Sequence, residues 1–148
     1  MIDKISLAIC FLFLLIEGIA DKRNNIIPIL PAGVCMLAGL VFGILRGRET
    51  LISIILGALL GGIVILLAQA TKEKIGYGDG LVLVATGLLL GFRRNLLLLL
   101  FSLFLSALAG IWILLSRRGN RNTKMAFVPF MLPALTLTIA CTEGGIIL

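Results

Sequence analysis

The chain is 148 residues long, 60% hydrophobic, with a mean hydropathy of +1.19 and a formal charge of +6. A soluble globular domain is about 45–50% apolar, so this composition excludes that class and describes an integral membrane protein, read as one unit over residues 1–148. The basic residues fall in short clusters between apolar runs, the pattern of loops that meet anionic lipid, which argues against a nucleic-acid partner.

The first apolar run, Ile5 to Ala20, follows Lys4 and ends in "GIA". It has the outline of a cleavable signal peptide, but in a multi-span chain it reads as an uncleaved first anchor. Ile26 to Leu45 and Leu51 to Ala70 come next. A fourth run extends from near Ile75 to Phe92, a fifth from Leu96 to Leu115 and a sixth from Met125 to Cys141. With about 20 residues needed to cross a bilayer, the expected architecture is all-α: a compact bundle of six transmembrane helices joined by short, mostly charged loops. Lys4, Arg46, Arg48, Arg93 and Arg94 fall on the side of the N-terminus. The other eight of the 13 basic residues, from Lys22 to Lys124, fall opposite. The richer side is expected to be cytoplasmic, which makes the chain N-out and C-out.

Gly39 and Gly43, Gly57 and Gly61, and Gly87 and Gly91 repeat at a spacing that lets helix backbones approach closely in lipid. Compact packing is reason enough for them. The chain has no histidine, and Cys10, Cys35 and Cys141 each stand alone in an apolar run. No metal site, cofactor or disulfide framework is expected, and the thiols read as small packing groups.

Of the seven acidic residues, Asp3, Glu49, Glu73 and Glu143 read as loop or terminal residues, which leaves Glu17, Asp21 and Asp79. An ionisable group at membrane depth is expensive and marks function by default. Asp21 ends the first run and Asp79 begins the fourth; the chain crosses twice in between, so both emerge on the face assigned to the cytoplasm. A helix from Asp79 to Phe92 has only 14 residues, short of the usual minimum of about 17. If the helix begins near Ile75, the Asp79 carboxyl lies about 6 Å inside its end. Gly76, Gly78 and Gly80 are expected to let the backbone turn and approach a ligand there. Two carboxyl groups in one low-dielectric site do not both ionise easily. One acts as base towards water and the other, protonated, polarises a scissile carbonyl, which is the chemistry of an aspartic protease. Taken singly, Asp79 is a helix cap and Asp21 a solvated loop residue. Glu17, one turn before Asp21 on the same face, tunes Asp21, receives a basic substrate segment or is merely interfacial, and stays outside the catalytic set.

Three stretches resemble the type IV prepilin peptidases, membrane aspartic proteases with a GxGD motif. "DKRNNIIP" (21–28) is similar to the family's D-x(6)-P block, "GYGDGLVLVATGLLLG" (76–91) carries GxGD, and "AFVPFMLPA" (126–134) is similar to its Pro-Phe block. Ile29 after Pro28, where many members have Asn, and Leu81 two residues after Asp79, where many have Lys, depart from the pattern. The resemblance implies that Asp21 and Asp79 are catalytic and that Gly76, Gly78 and Gly80 shape the backbone beside them. Pro28, Pro129 and Phe130 are candidates for a substrate groove, with the helix that holds Pro129 and Pro133 bent or broken.

Long members carry paired C-x-x-C motifs associated with N-methylation. The likeness here is to the short, protease-only form, so no methyltransferase activity is expected. The implied substrate is a prepilin or pseudopilin with a basic leader before a hydrophobic helix, cut at the cytoplasmic face of a prokaryotic cell membrane. The alternative from another class is a small transporter whose buried aspartates bind protons or cations. A lipoprotein signal peptidase has a similar size but four spans and other motifs.

Overall fold

The computed structural model describes residues 2–24, 28–71, 76–116 and 127–143. They form six helices: α1 (Ile2–Asn24), α2 (Ile29–Arg46), α3 (Arg48–Ala70), α4 (Tyr77–Leu90), α5 (Phe92–Leu115) and α6 (Val128–Glu143). The fold is all-α, as the apolar runs led one to expect. By length and composition, α2, α3 (over Thr50–Ala70) and α5 (over Phe92–Ile113) are able to cross a membrane. Helix α1 is as long, at 23 residues, but carries Lys4, Glu17, Asp21, Lys22 and Arg23. Helices α4 and α6 are apolar but shorter. The outer surface is apolar: Leu30, Ile29, Leu115 and Trp112 are 72–82% exposed. Side chains of this kind, left bare all round a bundle, require lipid as the solvent.

Two joints differ from the charged loops expected. Helix α2 passes to α3 through Gly47 alone, and α4 to α5 through Gly91 alone. Both glycines have positive φ, 99° and 78°, a conformation that ends a helix in one residue and is strained for any residue with a Cβ. Arg46, Arg48, Arg93 and Arg94 are therefore helical. The fourth helix stops at Leu90 and not at Phe92, and the fifth begins four residues before Leu96. Glu49 and Glu143 also lie in helices. Lys72, Glu73, Lys74 and the basic residues from Arg117 to Lys124 lie outside the described residues.

Helix α4 occupies the middle, in contact with α1, α2, α3 and α5, while α6 packs on α5 and α1. From Gly80 to Leu89 almost every residue of α4 is buried. The glycine pairs make this possible. A Cβ on Gly57 would stand 2.7 Å from the Gly87 carbonyl oxygen, one on Gly61 would strike Val84, and one on Gly39 would stand 2.7 Å from Leu88 Cβ. The packing role expected of these glycines is thus observed at backbone contact distance. Cys10 and Cys35 are buried in the same core, with Phe13, Leu14, Leu83 and Met131.

Asn95, buried in the first turn of α5, ties three helices together. Its Nδ2 donates to the carbonyls of Gly57 (2.9 Å) and Leu83 (3.0 Å), and its Oδ1 accepts from Thr86 Oγ1 (2.7 Å). Towards the same end, Arg46 donates to Ser6 Oγ and Ser53 Oγ accepts the Phe92 amide.

Candidate active site

Asp21 lies inside α1, in its last turn, and is 7% exposed. It closes the first span as expected and is not a solvated loop residue; α1 runs on through Lys22 and Arg23, whose charges favour the negative end of the helix dipole. The Asp21 carboxyl reaches the start of α6, where its Oδ2 accepts the Val128 N–H at 3.2 Å. The Phe127 amide is a second donor to it. Free amides at a helix N-terminus and a carboxylate satisfy each other, so a residue 107 positions away in sequence caps α6.

Asp79 is the third residue of α4 and is half-buried. It is in the first turn and is not the helix cap: Gly76 holds that position, without a side-chain hydrogen bond. With the helix starting at Tyr77, the carboxyl is about 3 Å and not about 6 Å inside the end of α4. Its depth comes from register instead. Gly80 faces Ile65 and Gly61 of α3, and α3 continues five residues past Ile65 to Ala70, which sets this level about 7 Å below the end of α3.

The three motif glycines do different things, and none of them makes a positive-φ turn. Gly76 has an ordinary φ of −64°, but the Asp79 carboxylate lies over it, and a Cβ there would stand 2.6 Å from Oδ2. Gly80 is buried, and a Cβ would press within 2.5 Å of Ile65 Cγ1. Gly78 is half-buried between them in the first turn. Gly76 therefore makes room for the acid and Gly80 seats the helix that carries it.

Helices α1 and α4 touch, and Asp21 and Asp79 come within electrostatic range of each other as like charges. Two acids from distant parts of the chain thus lie within electrostatic range at one end of the bundle, with Asp21 beside the amino end of α6. Pro28 is the N-cap of α2, and Pro129 and Phe130 lie half-buried in the first turn of α6. Of the bent or broken helix expected, the break is not found: α6 runs unbroken through Pro133, and the exposed Thr136 hydroxyl occupies the Pro133 carbonyl.

Glu17 was legible only as a residue on the face of Asp21. In the structure it is fully buried, and neither carboxyl oxygen has a hydrogen-bond partner. Among the described residues, no three His, Cys, Asp or Glu side chains gather as a metal-holding group.

The type IV leader peptidase family matches residues 8–115, a stretch that holds Asp21 and Asp79 but stops before Pro129 and Phe130. Proteins named prepilin leader peptidase/N-methyltransferase from Aeromonas hydrophila and Aeromonas salmonicida (strain A449) are each 31% identical to this chain over 99 residues. The aligned stretch is 63% of this chain and 34% of each of theirs, so the chain spans about a third of the length of these relatives. No solved structure matches it with significance.

Proposed function

We propose that this chain, which belongs to the type IV leader peptidase family, is a membrane aspartic endopeptidase that removes the basic leader of prepilins or pseudopilins. The observation that supports this reading is that α1 and α4 touch and Asp79 lies within electrostatic range of Asp21. One carboxylate takes a proton from water as the water oxygen bonds the scissile carbonyl carbon; the other, protonated, donates to the carbonyl oxygen. When the C–N bond breaks, the first returns its proton to the leaving nitrogen and the second recovers its own from the hydroxyl as the carbonyl re-forms; the pair titrates as a unit.

Which end faces the cytoplasm follows from the basic residues, and the Asp21–Asp79 end is assigned there. A substrate helix lying in the bilayer with its leader in the cytoplasm brings its junction to this level. The capping bond from Val128 to Asp21 gives α6 a part in the site: it holds the acid in place from the side on which Pro129 and Phe130 stand. Co-expression with prepilins from the same organism tests the reading, scored by mobility shift and N-terminal sequencing of the product. Processing at the leader junction is expected with the wild-type chain and not with Asp21→Asn or Asp79→Asn. Ion-dependent flux in vesicles without any processing would favour a transporter instead.

A further inference from the structure

Glu17 is the buried acid that the two-aspartate chemistry leaves unused. It is 0% exposed, and both oxygens lack partners. The buried polar side chains of Thr86, Asn95, Ser102 and Thr138 all have theirs. It lies one turn from Asp21 on the same helix face, where side chains four apart have Cβ atoms about 5–6 Å from each other, and the two acids are in electrostatic range. Helix α2 brings Cys35 to it, and α4 brings Asp79 to the neighbouring Asp21. Helix α6 closes the space with Pro129 and Leu132, which pack against the adjacent Gly18 and do not titrate. An unpaired charge in such an enclosure is costly, and among the described residues neither oxygen meets a donor to offset it. Membrane proteins use acids so placed in proton relays.

We propose that Glu17 is a positioning residue of the site, which holds a proton while Asp21 acts as base, so that three carboxyl groups titrate together. This rests on the reading of Asp21 and Asp79 as an acid–base pair. Asp21 is the member that takes the proton of water and returns it to the leaving nitrogen. Glu17 begins and ends the cycle protonated, so no proton is gained or lost. Its neutrality keeps a second negative charge away from Asp21 while that carboxylate acts as base.

The test compares wild type with Glu17→Gln, which keeps the shape without the acid, and with Glu17→Met, which keeps the packing should a buried amide fail to fold. Infrared difference spectra of the purified protein in lipid at neutral pH read the protonated carboxyl directly. Because the protonated member of the aspartate pair gives a band of its own, the comparison is made in an Asp79→Asn background, where the band is expected with Glu17 present and absent from both variants. In prepilin cleavage, the alkaline limb of the pH profile is expected about one unit lower in the variants. The sign follows from charge: at high pH an ionised Glu17 opposes proton loss from its neighbours, and its removal lifts that opposition. Glu17→Asp is expected to restore both signals in part. In the Asp79→Asn background a band that persists with Glu17→Gln, or in the otherwise wild-type enzyme a pH profile unmoved by Glu17→Gln, overturns the proposal. Should wild type cut no prepilin, the peptidase reading fails, while the infrared comparison still decides whether Glu17 holds the proton.

Discussion

Two polar clusters are buried along α4, and they are built on opposite plans. Around Thr86, every group is answered: Asn95 gives both amide hydrogens to carbonyls and its oxygen accepts the threonine hydroxyl. Around Asp21, the acids Glu17 and Asp79 each come within electrostatic range of it, with few donors among the three. Asp21 has the first amides of α6, Glu17 has no partner and Asp79 lies over a glycine. A buried polar group left open destabilises the fold, so a chain that closes one cluster and leaves the other open uses them for different purposes. The closed cluster fixes helices; the open one is where the proposed function puts water and substrate.

Substitutions sharpen this contrast. The largest effect is expected at the acids, where Asp21→Asn or Asp79→Asn removes proton transfer while keeping the shape. Leader cleavage in membranes is expected to fall by about 10²–10⁴-fold, with insertion and folding retained. Gly76→Ala comes next. The new methyl would displace the Asp79 carboxylate, which lies 2.6 Å from the Cβ position, and a misplaced group costs about 10²-fold in rate with little change in thermal unfolding. In the closed cluster the balance reverses. Asn95→Leu takes the Asn95 amide away from the Gly57 and Leu83 carbonyls and leaves Thr86 only its longer bond to Leu83; it is expected to lower stability by about 1–3 kcal/mol, read by unfolding in micelles, while cleavage in the cold survives. The smallest effect belongs to Gly62→Ala, because nothing stands within 4 Å of the added Cβ. Stability is expected to change by less than about 1 kcal/mol, whereas alanine at Gly61, one residue away, would collide with α4. An equal response at positions 61 and 62 would break the account of α3–α4 packing.

The helices and their order were legible because apolar runs of bilayer length leave little choice, and the two aspartates because acids are rare in such runs. The joints were less so. A single glycine at positive φ ends a helix without a loop, and the arginines around Gly47 and Gly91 hid this by reading as loop residues. The depth of Asp79 was inferred from a helix start near Ile75, whereas the structure derives it from where Gly80 meets α3. The enclosure of Glu17 depends on the packing of other helices around α1, and the cap that Asp21 places on α6 joins residues 107 positions apart. No local pattern carries either. Asn95 was legible in principle as an amide at the head of a leucine run, but its three partners come from two other helices.

The measurement that bears most directly on the paired acids is leader cleavage by the purified protein in lipid vesicles, with Asp21→Asn, Asp79→Asn and the double variant compared under single-turnover conditions. Groups that act as one unit lose their effect together. The account predicts that each single variant is as inactive as the double, with all three still folded. A single variant that cuts at the wild-type rate, or two partial losses that multiply in the double, would contradict it.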